Sequence, residues 1–352
     1  MVIKMNKKLL IFTVIVLIFF SIKVLYQRND YTEVTESAYV SSMGLEYNNS
    51  NNEYTVYMYI LNNYNLSLSE YGQTLPNDIG YICVGKGKTI SEGIAMINKQ
   101  SSIRLQYSHI RTVILKNNFF NKNNLLALCT IVRQSPDFFP TFQVYTTSND
   151  LMDIYNVKNF SGTSAYYTIL INNATLTKPS KVVFSNLINN IYLDTYTTEI
   201  PILKVSNDVF FEQEKELPSI DVDGYSYITD DYRLSSFSFD NYHALYALNN
   251  LSRNVIIFKD FDYLIHEYYI KKYYKKNTLT IKITIKGTFI YNPKNLTDNE
   301  LYASLKKQMT ENLQNLKQSM DSYLIDVYNI DYLSNKKHSY LDTTINVDVT
   351  IM

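Results

Sequence analysis

Tryptophan is absent from this sequence, and glycine (9), proline (7), histidine (4) and cysteine (2) are all scarce. Few glycines and prolines exclude a collagen-like or Gly/Pro low-complexity chain, and a glycine-rich phosphate cradle. Two cysteines cannot staple a chain of 352 residues, which excludes a disulfide scaffold. The four histidines are His109, His243, His266 and His338; none stands three or four residues from another histidine or a cysteine, so no zinc motif is present. An excess of charge is also missing. Lys+Arg and Asp+Glu both number 33, and no general field exists to draw in nucleic acid or an anionic membrane.

What is present describes a folded chain. Hydrophobic residues make up 46% and charged residues 19%, and the length allows two or three domains. Tyrosine reaches 33 and phenylalanine 17. Beside abundant Asn, Lys and Ile this matches an AT-rich coding bias, so tyrosine number alone carries no functional message. Cys83 (Tyr81-Ile82-Cys83-Val84) and Cys129 (Leu126-Ala127-Leu128-Cys129-Thr130-Ile131) sit in apolar contexts and read as buried thiols.

The N-terminus reads as a membrane anchor. Leu9–Ile22 runs without a charge, Lys23 interrupts, and apolar character resumes through Tyr26. Such a run spans a core of about 30 Å if Lys23 snorkels to the interface. Lys4, Lys7 and Lys8 before it outweigh Lys23 and Arg28 after it, which puts the N-terminus in the cytoplasm and the rest outside. A cleaved signal peptide needs small residues of the A-x-A type after the apolar run; SIKVLYQ (residues 21–27) offers no such site, and no lipid-bearing cysteine is there.

Beyond the anchor the pattern is α+β. Ser37–Met43 and Tyr54–Leu61 are strand-like around the turn chemistry of Asn48–Glu53. Gly85-Lys86-Gly87-Lys88 lacks phosphate-loop spacing and reads as a turn before a helix over Thr89–Lys99, where Ile90, Ile94 and Ile97 repeat at helical spacing. Ser108–Leu115 reads as a buried strand, Asn123–Arg133 as a helix closed by Pro136 and Pro140, Thr141–Thr146 as a strand and Val182–Tyr192 as a helix. The polar stretch Ser206–Pro218 marks a boundary. Tyr225–Thr229 and Leu234–Phe239 form strands joined around Asp230-Asp231, a turn rather than a catalytic pair, because adjacent residues face different ways. At the C-terminus, Leu279, Ile281, Ile283 and Ile285 alternate with polar residues as a half-buried strand. Thr297-Asp298-Asn299-Glu300 fits a capping box for a long helix with one apolar stripe: Leu301, Leu305, Met309, Leu313, Leu316, Met320 and Leu324. Ile345, Val347, Val349 and Ile351 form a last strand. The expected organisation is an anchor over 1–27 and an ectodomain of two or three mixed α/β domains. It divides into 28–206 and 207–352 and ends in a strand–long helix–strand unit.

The order of these segments resembles the C subunit of the nutrient germinant receptors of spore-forming bacteria, the Ger(x)C family. Ser37–Glu46 and Glu53–Val56 are similar to its first hairpin. Gly87-Lys88-Thr89-Ile90-Ser91-Glu92, Lys99-Gln100-Ser101 and Arg104–Arg111 are similar to its GKT helix, K-Q-S turn and a strand entered through a histidine. Ser135-Pro136-Asp137 resembles its D-P-E corner. Asp223-Gly224-Tyr225, Asp230-Asp231, Leu234 and Tyr242-His243-Ala244-Leu245 resemble its mid-chain hairpin. Two departures stand out. Family members begin with a lipidated cysteine, which Leu9–Tyr26 replaces here, and they often carry a second helical segment before the last strand, for which Asp326–Thr343 is short. The resemblance implies a non-enzymatic ectodomain on the outer face of the spore inner membrane, assembled with a polytopic A subunit and a transporter-like B subunit. It assigns no germinant to this subunit.

No convergent set of acid, base, cofactor-binding or metal-binding residues stands at a recognisable spacing, so neither catalytic residues nor a cofactor is expected. A tethered enzyme and an adhesion or sensor ectodomain of other descent are the competing readings. The candidate contacts are His109 and the run Asp262–Lys276, with Tyr268, Tyr269, Lys271 and Lys272 at its centre. His109 reads either as a strand-edge residue bonded to backbone or as a contact that titrates near neutrality. Interleaved aromatics and lysines fit a partner or a headgroup surface, or else an ordinary element with a solvated basic face; an extracytoplasmic site argues against nucleic acid.

Overall fold

A computed structural model describes residues 16, 37–61, 80–157, 182–192, 197–212, 215–228, 234–237, 255–257, 261–292, 294–323, 326, 328–336 and 338–351. Apart from Val16, the expected anchor lies outside these residues, as do Asp230-Asp231 and Tyr242–Leu245. Among the described residues no helix is long and apolar enough to cross a membrane.

The fold is α+β, as the sequence leads one to expect. Strand β1 (Ser37–Asn48) and β2 (Glu53–Leu61) pair antiparallel around a turn. In that turn the Asn48 side chain accepts from Ser50 N–H at 2.9 Å, and Asn52 holds φ 51°, a left-handed geometry asparagine tolerates. β2 pairs with β3 (Gly80–Gly87), which leads into helix α1 (Ile90–Gln100). Thr89 caps α1 by accepting from Glu92 N–H, while the Glu92 carboxylate accepts from Lys88 N–H at 2.7 Å. Gly85-Lys86-Gly87 is therefore the end of a strand, not a turn. A Cβ on Gly85 would lie 2.1 Å from the Gly93 carbonyl oxygen, so glycine there lets α1 lie directly on β3.

The expected strand Ser108–Leu115 is shorter than the sequence pattern. β4 (Arg104–Gln106) runs parallel to the start of β1, Ser108-His109 turn, and β5 begins at Thr112 and ends at Lys116. The break is local: Ile110 N–H bonds to Tyr107 O at 3.1 Å, and Arg111 N–H returns to Ser41 O at 2.9 Å. Helix α2 (Lys122–Gln134), capped by Asn121, and strand β6 (Gln143–Thr147) follow as expected. The short helix α3 (Leu151–Asn156) was not expected, and α4 (Phe184–Tyr192) falls within the expected helix. β5 and β6 lie parallel beside β1 in the order β3-β2-β1-β5-β6-β7-β8-β9. In this nine-stranded sheet, β7 (Thr198–Glu212) and β8 (Lys215–Ile228) form a long hairpin, with β9 (Leu234–Phe237) at the edge. The stretch Ser206–Pro218 lies within that hairpin. One sheet face packs Val40, Met43, Val56, Val113 and Val144 under α1, α2 and α4; the other packs Tyr57, Ile114 and Tyr145 under α3. Helices on both faces explain why β1 and β2 are buried almost continuously rather than alternately.

The C-terminal sheet has the order β10-β11-β12-β13: Val255–Ile257, Asp262–Lys275, Thr278–Tyr291 and Thr344–Ile351. Lys276 and Asn277, both with positive φ, make a two-residue turn between β11 and β12. Helix α5 (Asp298–Tyr323) carries the chain to β13, parallel to β12. Thr297 N–H and Oγ1 both donate to the Glu300 carboxylate at 2.8 Å, which holds that carboxyl below its ordinary range. Leu301, Leu305, Met309, Leu313 and Leu316 are buried against Leu279, Ile281, Ile283 and Ile285, the apolar stripe meeting the apolar strand face. The Met320 and Leu324 side chains lie outside the described set. Between α5 and β13 stands a five-residue helix, α6 (Ile330–Ser334).

Candidate functional site

β11 decides where most of the candidate contacts go. Its register with β12 pairs Ile270 with Ile283, Lys272 with Ile281 and Tyr274 with Leu279, all on the face that α5 covers. Tyr268, opposite Ile285, shares that register. Tyr269, Lys271, Tyr273 and Lys275 alternate onto the opposite, solvent-facing side, with Tyr269 61% and Tyr273 52% exposed. The candidate run is thus split by strand geometry into a wet set and an inward set. His109 belongs to neither. It is exposed on the turn before β5, in the other sheet, with its ring 4.4 Å from that of Tyr39.

The inward set builds a polar cluster that the sequence did not reveal. The Lys272 ammonium is largely buried, and burial lowers its pKa although Glu199 on β7 and Asp326 after α5 both pull it up. Asp326 is only 4% exposed. Burial raises its carboxyl to about 6, opposed by backbone N–H donors and by Lys272. Asp326 Oδ2 accepts from Asp331 N–H at 2.7 Å, while Oδ1 is buried with no hydrogen-bond partner among the described residues. Asp331 in turn accepts from His338 N–H (2.6 Å), Ser339 Oγ (2.9 Å) and Tyr340 N–H (3.3 Å), which folds the α6 loop back on itself. Asn329 Oδ1 accepts from Thr197 N–H at 3.0 Å, joining this loop to the start of β7. Tyr328 donates to Leu313 O at 2.8 Å, fixing the loop to α5. Tyr227 on β8 completes the cluster, its phenol pushed far up by burial and by Glu199. Lys272 therefore stands where the β7–β8 hairpin, β11 and the α6 loop meet.

This arrangement holds elements together more readily than it performs acid–base chemistry. A perturbed carboxyl marks a functional candidate only where substrate can reach it. Asp326 and Lys272 face protein on their described sides. Among the described residues no group of three or more His, Cys, Asp or Glu side chains could hold a metal ion. Cys83 and Cys129 are free thiols, Cys83 half-buried and Cys129 buried. Burial pushes the Cys129 thiol up to about 11, which keeps it protonated and unreactive at neutral pH.

The wet set is a surface of a different kind. Lys271 stands directly opposite Lys282, and Lys282 opposite Asp348 on β13. Glu267 meets Lys286 at 3.7 Å. Thr278, Thr280 and Thr284 fill the rows between. The β12 half of this face was legible in the sequence as the polar residues alternating with Leu279, Ile281, Ile283 and Ile285; the β11 half, an alternation of tyrosine and lysine, is invisible to a hydrophobic-period search because neither residue is simply apolar.

Comparison with known proteins adds a family and a fold. Residues 30–205 match the family model described as the spore germination protein N-terminal domain. A crystal structure of the GerBC protein superposes with a TM-score of 0.50 at 12% identity, covering 88% of this chain and 96% of that one. A search of curated proteins found no match.

Proposed function

The chain belongs to the spore germination protein family defined by that N-terminal domain, the family of germinant receptor C subunits, and from this premise we propose that it is a non-enzymatic subunit assembling with A and B membrane subunits to trigger germination. The observation that carries the reading is the match over 30–205. The GerBC likeness supports a shared fold across both sheets. In this reading Leu9–Tyr26 is a single-pass anchor in the spore inner membrane, the N-terminus is cytoplasmic and the rest lies on the outer face. The division into 28–206 and 207–352 belongs to the same proposal. The separate hydrophobic clusters of the two sheets favour two parts, but residue 206 lies inside β7 and Ile220 and Ile228 of β8 pack with the first sheet; the hairpin, whose Tyr225 and Tyr227 pack into the C-terminal cluster, is the joint between the parts. His109, Tyr268, Tyr269, Lys271 and Lys272 remain proposed contacts, with Tyr269 and Lys271 the surface-directed pair and Lys272 acting through the buried joint.

The test is co-purification from the host. The tagged full chain is solubilised gently from the spore inner membrane and its partners are identified by mass spectrometry. Recovery of a polytopic subunit and a transporter-like subunit supports the assignment. An intact, abundant chain that comes down alone overturns it in favour of a stand-alone tethered ectodomain.

A further inference from the structure

We propose that the open face of the C-terminal sheet docks flat on an anionic lipid surface, using Tyr269, Lys271, Tyr273, Lys275 and Lys282. The inference rests on the tethered-subunit reading above and adds an orientation to it.

Charge over the whole chain balances at 33 against 33, yet this face does not. Its outward lysines are Lys271, Lys275, Lys282 and Lys286, against Glu267 and Asp348. Lys286 is engaged by Glu267 at 3.7 Å. Among the described residues no salt bridge reaches Lys271, Lys275 or Lys282. Lys271 and Lys282 are direct cross-strand partners, and like charges so placed repel. An anionic surface laid over them removes that repulsion.

The spacing selects the kind of anion. Lys275 lies four residues from Lys271 on one strand, and Lys286 four from Lys282 on the next, opposite Lys271. At roughly 3.3 Å per residue Lys275 stands about 13 Å along the sheet from the facing pair Lys271 and Lys282. A single phosphate or carboxylate cannot span that length, whereas an array of headgroups does. Tyr269 and Tyr273 occupy the rows between lysines and stand clear of the threonines beside them at 61% and 52% exposure. Tyrosine in that position puts an apolar ring and a polar tip where a bilayer interface has both. Lysine near an anionic leaflet is worth roughly fivefold in partitioning, so Lys271, Lys275 and Lys282 together supply on the order of a hundredfold. That is weak for a free protein, but a tether makes the contact intramolecular and weak contacts then suffice.

The experiment reconstitutes the full chain in phosphatidylcholine vesicles and in equimolar phosphatidylcholine and phosphatidylglycerol vesicles. A membrane-impermeant amine-acylating reagent reports lysine reactivity by mass spectrometry. Lys86 and Lys99, exposed on the other sheet and its helix, are the internal controls. Acylation of Lys271, Lys275 and Lys282 is expected to slow several-fold on the anionic vesicles alone, with the controls unmoved and the protection lost at high salt. The Lys271→Gln/Lys282→Gln variant should lose the protection of Lys275. Equal reactivity on both vesicles overturns the proposal. Protection that appears only when the membrane subunits are co-reconstituted also overturns it and assigns the face to protein. Flotation with the neutral vesicles scores the tether separately. A chain that floats without protection sinks the docking alone; a chain that does not float sinks the anchor and the docking with it.

Discussion

Replacing Lys272 with methionine tests the joint between the two sheets. Methionine keeps the volume of the buried stem and removes the ammonium. The Asp326 carboxyl is raised from 3.8 to about 6, which corresponds to roughly 3 kcal/mol against keeping it ionised at neutral pH. Because the folded form holds its proton more tightly than the unfolded form, this contribution to stability is complete below about pH 4 and is lost as pH rises through 6. Lys272 has the opposite sign: its lowered pKa gives stability above 10.5 that is lost as pH falls through the lowered value. At neutral pH the Asp326 carboxyl, raised to about 6, is mostly ionised against its solvation preference; the Lys272 ammonium favours that charge, and Glu199 and Asp326 in turn favour the ammonium. Lys272→Met strips the cation from two carboxylates, and breaking a buried pair in this way costs about 3–5 kcal/mol. At pH 5 Asp326 takes up a proton and the cost should fall by about half. In the double variant Lys272→Met/Asp326→Asn, the amide oxygen can still accept from Asp331 N–H, and about half of the lost stability should return, the remainder being the share of Glu199, which still lacks its cation. Urea unfolding of the full chain in non-ionic detergent, followed by far-UV circular dichroism at pH 7.5 and pH 5, reads all three quantities. A single variant as stable as the parent at pH 7.5, or a penalty that does not change with pH, refutes the view that Lys272 is held by charge.

Three further outcomes are expected. Leu305→Ala, at a position with 0% exposure under the C-terminal sheet, should cost about 3 kcal/mol in the same urea assay, while Lys306→Ala on the exposed side should change stability by less than about 0.5 kcal/mol. Gly85→Ala forces a methyl to 2.1 Å from the Gly93 carbonyl oxygen, so α1 must lift from β3, at a cost of about 1–3 kcal/mol and a lowered melting temperature. Cys129, with its thiol raised from 9.0 to about 11, should react with a maleimide at pH 7 about a hundredfold more slowly in the native chain than in urea, as mass spectrometry of the labelled peptide will show.

Some of this protein is determined by local sequence alone. The C-terminal strand, capped helix and last strand were legible because residues 279–285, 301–316 and 345–351 each repeat at one clear period, and a period is set by the backbone whatever surrounds it. The α1 and α2 caps, Thr89 and Asn121, are equally local, although the helices were expected to begin at Thr89 and Asn123 and neither residue was named as a cap. Other features depended on contacts between distant segments. Gly85-Lys86-Gly87 has turn composition, yet it is strand because β2 pairs with it and α1 lies on it. Tyr268–Lys272 has no apolar alternation, so only pairing with β12 could say which residues face out. Lys272 goes inward because its row is opposite Ile281, and it tolerates that place because Glu199, about seventy residues earlier, and Asp326, about fifty later, arrive beside it. The buried joint was invisible for that reason: a charge is placed inside only by partners that the tertiary fold supplies, while period and capping need nothing beyond a few neighbouring residues.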